Sequence, residues 1–502
     1  MVPQVALPFK YEISSTSGTT ALAGLPLYLE LAHVLGLNTA VTKLLPSRCA
    51  APEWSDAELC MNLTLLNLAG GDCVTDLDLL RRDEGFQKVA RAVACVGLKR
   101  RARRDKERVL QKAGPVAMAG EMTFRRFLES FHGADQNIER VVGTASLVPE
   151  HARLKALWQV NCYLLTKLQA LRPLEIMTLD ADATLVETTK AEALRCYKGY
   201  KDYQPLNFYA FEWGTTVYSH FRDGNVPCGY KQLAALEQAL ALVPDGVKRV
   251  QLRMDTQGYE WELLHYLAQG KNPRFGVVEF CVGADVTAEL KKEISKLKSS
   301  AWHDLARPAG KVAQQWAEVP FVPQASALKK DGPSYRFMVT REVLHQPSLP
   351  GVAVELPFPT MDFDGVGQTE IHALVTNRTG DAATLLQWYR QRCGESEEAH
   401  SVMKSDLAGG QLPSKYFGAN AAWWTIMQIA LNLNKMFTQL ALGGTWATAR
   451  LKKVRAHIIA VAGRVVDHAR QVVIRLSADH PSSNLIETAR EKILALFPAP
   501  TG

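Results

Sequence analysis

Leu174 to Thr188 reads LEIMTLDADATLVET, and its alternation of apolar and polar residues is the signature of a β-strand. A period of two puts Thr178, Asp180, Asp182 and Thr184 on one face, and Met177, Leu179, Ala181 and Ala183 on the other. Strands are depleted in Asp, and neighbouring carboxylates on one face repel each other. A divalent cation is the usual offset; a strand end with solvated acids is the plainer alternative. Both Asp180 and Asp182 are candidate ligands at this point.

Working outward, the polar, Tyr-rich link RCYKGYKDYQ leads into two adjacent strands, Leu206–Phe211 and Thr215–Arg222, around a turn at Glu212–Gly214. YKQLAALEQALALV follows, with Leu233, Leu236, Leu240 and Val243 on one helical face. Val247–Met254 is a fourth strand that ends on Asp255 and turns into a helix. RFGVVEFCV, Arg274–Val282, is a fifth, near-continuously apolar and so buried on both faces. The order β-β-β-α-β-α-β is that of a mixed α/β sheet of the RNase H type, in which the first and fourth strands are neighbours and Asp182 and Asp255 converge. From 301 to 368 the short runs AWHDLARPAGKVAQQWAEVPFVP, SYRFMVTREVL and VAVELPFPTMDF read as a β-rich insertion. IHALVTNRT returns to a core strand, and Asp381 opens a long helix.

Before the sheet the pattern is helical, with two concentrations of positive charge. In LKRRARRDKERVLQK, residues Lys99, Arg100, Arg101, Arg103, Arg104, Lys106 and Arg108 face only Asp105 and Glu107. EMTFRRFLESFH adds Arg125 and Arg126, flanked by Phe124 and Phe127. Such runs are either solvated helix faces or phosphate-backbone contacts. LKKVRAHIIAVAGRVVDHARQVVIRL, near the C-terminus, reads as helical and basic, most of its cations solvated. The expected layout is a helical DNA-binding region (1–150), a catalytic domain in two parts (151–300 and 369–440) around the β-rich insertion (301–368), and a helical basic C-terminal region (441–502).

Composition fits this picture. With 502 residues, 47% hydrophobic and 22% charged, the chain is a multidomain globular protein, and a net charge of +7 suits a polyanionic partner. The nine Cys show no CxxC pair, which argues against zinc ribbons and a secreted disulfide framework. MVPQVALPFKYEISS lacks the features of a signal peptide, and no apolar run is long enough for a membrane span, so a reducing cytoplasm is expected.

The segment WYRQRCGESEEAHSVMKSDLAGGQLPS carries Glu397, Ser401 and Lys404 at i, i+4 and i+7, along one helical face. Together with DATLVE at Asp182, RMDTQGY at Asp255, VTNRTGDAATLLQWYRQR ahead of Glu397, and AGGQLPSKYFGANAAWW after it, the chain resembles the DDE (Asp-Asp-Glu) transposases of bacterial insertion sequences. The group it resembles has a Tyr-Arg-Glu-Lys signature, usually spaced Y-x2-R-x3-E-x6-K. Here Tyr389 and Arg392 each stand one residue early, leaving an extra residue between Arg392 and Glu397. Glu395 and Glu398 therefore stay open as alternatives, although only Glu397 has Lys404 at the matching offset.

The resemblance implies that Asp182, Asp255 and Glu397 are catalytic ligands of a two-metal Mg²⁺ (or Mn²⁺) site, with Asp180 as the fallback for the first acid. It implies that Arg392 and Lys404 hold DNA phosphates and that Tyr389 stacks or hydrogen-bonds beside them. The activity implied is binding of element ends, strand cleavage and strand transfer, by a homodimer in the active complex. The alternatives are an RNase H-like endonuclease that does not transpose and a catalytically degenerate DNA-binding repressor. Asn225, in the RDGN turn, is a turn residue or stands at the site rim.

Overall fold

The opening stretch forms strand β1 (Ile176–Ala183), the third strand in from one edge of a ten-stranded sheet. The computed structural model describes residues 17–497 apart from 50–51, 140, 142, 308–309, 324–334, 345–355 and 470, and apart from the side chains of residues 395 and 396. The next four strands are β2 (Leu206–Ala210), β3 (Thr215–His220), β4 (Arg249–Met254) and β5 (Glu279–Ala284). They lie in the order β3-β2-β1-β4-β5. β1, β4 and β5 run parallel, while β2 and β3 run antiparallel to their neighbours. The parallel steps are bridged by helices α2 (Gln232–Ala241), before β4, and α3 (Trp261–Ala268), before β5.

The segment read as an insertion continues this same sheet. Strands β6 (His303–Leu305), β7 (Gln314–Val319), β8 (Arg336–Val343), β9 (Thr360–Phe363) and β10 (Gly367–Thr376) follow in sequence. β10 adds antiparallel to β5, then β8, β7 and β6 extend outward, and β9 pairs with β10. Part of the run VAVELPFPTMDF lies outside the described residues. β1 is buried on both faces at its centre: Met177, Leu179 and Ala181 on one side, Thr178 and Asp180 on the other.

Helix α1 (Ala152–Leu171) and helix α6 (Phe417–Met436) form the other half of the core. α6, FGANAAWWTIMQIALNLNKM, is apolar around most of its circumference, and every residue but Lys435 is buried. Its polar side chains are matched inside. Asn432 Oδ1 accepts from the Thr216 amide at 2.8 Å, Asn432 Nδ2 donates to Asn161 Oδ1 at 2.7 Å, and Asn434 Oδ1 accepts from the Tyr28 hydroxyl at 2.7 Å. The N-terminal helices pack around it; Asp56–Ala69 begins with a Ser55–Glu58 capping box.

The C-terminal run is helical over Leu451–Ile459 but departs from the helical reading beyond it. Gly463–His468 and Gln471–Leu476 form an antiparallel hairpin, joined by Thr19–Thr20 into a three-stranded sheet. The β-branched pairs in GRVVDH and QVVIRL favour an extended backbone.

Candidate active site

Register explains how the site is assembled. Asp180 of β1 stands directly beside Arg253 of the parallel strand β4, so the two side chains share a face. Arg253 Nε and Nη2 donate to the two Asp180 oxygens at 2.6 and 2.8 Å, with the side chains 0% and 1% exposed. The guanidinium also donates to the Trp388 carbonyl and lies 4.4 Å from the Phe211 ring. Asp180 is therefore held in a buried bidentate pair.

Two residues further along the same face, Asp182 stands near the carboxyl end of β1 and Asp255 just past that of β4. Asp255 is fixed by its own turn: its carboxylate accepts from the Gln257 amide at 3.1 Å and caps the 3₁₀ turn Thr256–Gly258. Arg392, at the start of helix α5 (Arg392–Ser401), reaches Asp182 Oδ2 at 3.1 Å, the two side chains 10% and 25% exposed. Burial raises the Asp182 pKa against the pull of Arg392, and the charges of Asp180 and Glu397 push it the same way as burial. Burial also raises Asp255, as does the Asp182 charge, with Arg392 opposing. The acids feel one another and share one guanidinium.

Helix α4 (Ala382–Arg390) delivers Tyr389, whose hydroxyl donates to the Met254 carbonyl at 3.0 Å, immediately before Asp255. Between Arg392 and Glu397 the helical backbone breaks: Cys393 has ψ 128° and Gly394 has φ 91°, a region open to glycine at little cost. Glu397 follows on α5 and is exposed, as is Glu398; the Glu395 side chain lies outside the described residues. Lys404 sits on a π-helical turn, Val402–Asp406, and donates to the Leu185 carbonyl at 3.4 Å, beyond the end of β1.

Three contributors escaped the sequence reading. Arg253 was visible only as part of the Arg-x-Asp pattern, although a period of two already placed it on the Asp255 face. Asn207 is the cross-strand partner of Asp182, and its Nδ2 lies 3.3 Å from His400 Nε2, tying α5 to β2. Burial first, then the Lys404 and Arg392 charges, push His400 down to about 4, which keeps its imidazole neutral. No sequence spacing links Asn207 to His400.

A family model described as Transposase DDE domain group 1 matches residues 12–498. The chain belongs to that family. No curated protein matches it significantly. Among solved structures, it is similar to a cryo-EM structure of the piggyBac transposase synaptic complex with hairpin DNA, at 10% identity and a TM-score of 0.37, over 97% of this chain and 85% of that one.

In this DDE transposase-family chain the other basic candidates separate by environment. Lys99, Arg100, Arg101, Arg103 and Arg104 are exposed at the start of helix Arg100–Lys112. Lys106 of the same run turns inward, pairs with Glu58 and lies 3.9 Å over the Trp54 ring, so it is part of the core. Arg125 pairs with Glu121 along its helix and Arg126 is exposed, while Phe124 and Phe127 are fully buried. Asn225 Nδ2 donates to the Thr144 carbonyl at 2.8 Å, as a loop tie. No helix among the described residues is long and apolar enough to cross a membrane.

Among the described residues no three His, Cys, Asp or Glu side chains are gathered closely enough to enclose a metal ion. The donor chemistry nevertheless fits a hard cation: the facing groups are carboxylates, raised by burial and by mutual repulsion, with Arg392 as their counter-charge. Among the described residues the buried Arg392 Nε has no hydrogen-bond partner.

Proposed function

We propose that this chain is the transposase of a bacterial insertion sequence of the Tyr-Arg-Glu-Lys group, binding the ends of its element, cleaving them and transferring the freed strands into target DNA. The observation that carries the proposal is the placement of Asp182 and Asp255 near the carboxyl ends of adjacent parallel strands, with Arg392 paired to Asp182 and its charge felt by Asp255, in a chain that belongs to a DDE transposase family. The order β3-β2-β1-β4-β5 supports an RNase H-like catalytic sheet. We assign its two parts to residues 151–300 and 369–440, with 301–368 as an insertion that widens the sheet, and 1–150 and 441–502 as flanking DNA-binding and C-terminal regions.

In this reading Asp182, Asp255 and Glu397 hold a pair of Mg²⁺ or Mn²⁺ ions. Bound there, the ions would activate the attacking oxygen and stabilise the leaving oxygen of an in-line phosphodiester displacement. The chain's own residues supply position and charge. Arg253 neutralises Asp180 and stiffens β1 against β4, so the Asp182–Asp255 spacing is set by a buried ion pair rather than by a loop. Tyr389 anchors α4 at Met254, placing Arg392 beside Asp182. Arg392 Nε, without a partner among the described residues, is a donor suited to a phosphate oxygen once the cation takes over the acids' charge. Lys404 contributes a second positive charge on the phosphate path, and the exposed cluster Lys99–Arg104 with Arg126 contributes sequence-independent backbone affinity. Two element ends suit two copies of the chain.

The test uses a labelled duplex carrying the inverted repeat that flanks the gene, incubated with Mg²⁺ or with EDTA. Wild type should cut at the repeat boundary only with the metal, and Asp255→Asn and Glu397→Gln should lose at least a hundredfold in rate. Equal cleavage by all three proteins would sink the assignment.

A further inference from the structure

The basic C-terminal run, with Arg450 just before it, brings cations onto one buried carboxylate. Asp406 closes the π-helical turn Val402–Asp406 that carries Lys404, and its side chain has no exposure. Arg450 grips it twice, Nε donating to Oδ2 at 2.9 Å and Nη2 to Oδ1 at 3.1 Å. Lys452 Nζ stands 3.4 Å from Oδ1 as a second cation. A buried carboxylate is costly unless its charge is matched, and Arg450 and Lys452 supply the match. Arg455 Nη2 donates to the Asp406 carbonyl at 2.6 Å and to the Asn67 carbonyl at 3.1 Å, which ties the turn to the end of the helix Asp56–Ala69.

The place of this pair along the chain gives it a role beyond stability. Arg450 Nη2 also donates to the Ser401 hydroxyl at 2.9 Å. Ser401 precedes the turn and Asp406 ends it, so one guanidinium spans the segment, with Lys404 between its two grips. π-Helical turns are rare and recur at functional sites. The chain after the turn folds back on it: the Gly409 and Gly410 amides donate to the Met403 and Lys404 carbonyls at 2.9 and 3.1 Å. A Cβ at Gly409 would come within 2.7 Å of that Met403 oxygen, so the approach needs glycine. From a backbone fixed in this way Lys404 reaches the Leu185 carbonyl, beyond the end of β1. Arg450 has both Nε and Nη2 engaged in the clamp, so it is poorly placed to hold a DNA phosphate as well.

We propose that Arg450 is a positioning residue: by clamping Ser401 and Asp406 it fixes the π-helical turn so that the Lys404 ammonium stands at the end of β1, on the phosphate path. That role rests on the reading of Lys404 given above; the clamp itself does not. Two measurements on the full chain test it. Hydrogen exchange over 398–407 should rise about ten- to a hundredfold in Arg450→Met, as hydrogen bonds to a buried charge are lost, with 249–254 unchanged. Cleavage of the labelled end at saturating DNA should slow by a similar factor, since a misplacement of about 1 Å can cost about a hundredfold. In a Lys404→Met background the same change should slow cleavage by less than about threefold, because the group it acts through is already gone. A merely structural loss would cost rate equally in both backgrounds. Should Arg450→Met fail to fold, Arg450→Lys carries the test, since it keeps a cation on Asp406 but lacks the fork that also reaches Ser401. Unchanged exchange, an unchanged rate, equal rate losses in the two backgrounds, or a further fall in duplex affinity in EDTA when Arg450 is changed beside Lys404→Met would each overturn the proposal. Absence of cleavage by wild type would strike the DNA-cleaving reading and this role with it, while the exchange result would still decide whether the clamp holds the turn.

Discussion

Replacing Arg253 by Met tests whether the acids are positioned by a buried ion pair. The guanidinium donates twice to Asp180, once to the Trp388 carbonyl, and lies against the rings of Phe211 and Trp388, all with no exposure of its own. Met keeps most of the apolar volume and removes the charge, so Asp180 is left buried beside a thioether. Breaking one partner of a buried pair costs about 3–5 kcal/mol. At about 1.4 kcal/mol per decade, that corresponds to a two- to four-decade rise in the opening equilibrium of β1 and β4. Hydrogen exchange on peptides covering 174–183 and 249–254 reads this directly, with peptides of the C-terminal hairpin as an internal control. Asp180 is already raised by burial, and the loss of its cation raises it further, so the variant folds best with Asp180 protonated. Stability contributed by a raised carboxyl is full below its ordinary pKa and is lost as pH rises through the folded value, so the variant's deficit must be smaller at acid pH than at pH 8. The double change Asp180→Asn with Arg253→Met should recover much of the protection, because no unpaired charge is buried. If Arg253→Met changed exchange by less than about threefold, roughly half a kcal/mol, the claim that this pair sets the Asp182–Asp255 geometry would be refuted.

Three further outcomes follow from other parts of the molecule. Mn²⁺ should raise the thermal midpoint of wild type but not of Asp182→Asn or Asp255→Asn, since a ligand at a hundred times its dissociation constant stabilises by about 2.7 kcal/mol; equal shifts in all three would place the ion elsewhere. Changing Arg100, Arg101, Arg103 and Arg104 together to Gln should lower the slope of log affinity against log salt by up to about 3.6 if each meets a phosphate of duplex DNA, and an unchanged slope would return that run to a solvated face. Burial, then the Asp223 and Glu187 charges, push Asp202 up to about 7 against a Cys196 hydrogen bond, so its contribution is full below its ordinary 3.8 and is lost as pH rises through about 7. Asp202→Asn should flatten the pH dependence of stability across that window, and a parallel curve for the variant would mean that Asp202 is not its source.

The first five strands and the two acids on β1 and β4 were legible because they rest on period-two alternation, a local property that the sheet preserves. The β-like texture of 301–368 was legible too, but not that its strands would pair onto β5 and widen one sheet, because strand partners are a non-local choice. Asp180 shows the limit most clearly. On one strand it is indistinguishable from Asp182, with the same residue type, face and flanks. What separates them is the neighbouring strand, which opposes Arg253 to one and ends beside the other. The C-terminal hairpin was missed for a different reason, since a basic segment next to helices was read by its texture while its Val pairs, which favour a strand, went unweighed.

The helix break at Cys393–Gly394 bears on the spacing that set this chain apart from the Tyr-Arg-Glu-Lys pattern. In a continuous α-helix one added residue turns everything after it by about 100°, which would carry Glu397 and Lys404 away from the face shared by Tyr389 and Arg392. A break with φ 91° at Gly394 uncouples the two segments, so the second can be aimed independently of the first. Below it, His400 meets Asn207 and fixes α5 against the strand beside Asp182, and the π-helical turn at Val402–Asp406, which carries Lys404, shifts the phase again. The extra residue is thus accommodated where the backbone is already non-helical. Gly394→Ala, which penalises a positive φ by about 1–2 kcal/mol, should therefore weaken the coupling of Glu397 to the other acids without touching Arg392–Asp182. The Asp182 pKa, followed by carboxyl NMR, should fall toward its ordinary value as the Glu397 charge recedes, and an unmoved pKa would mean that α5 is held by His400 alone.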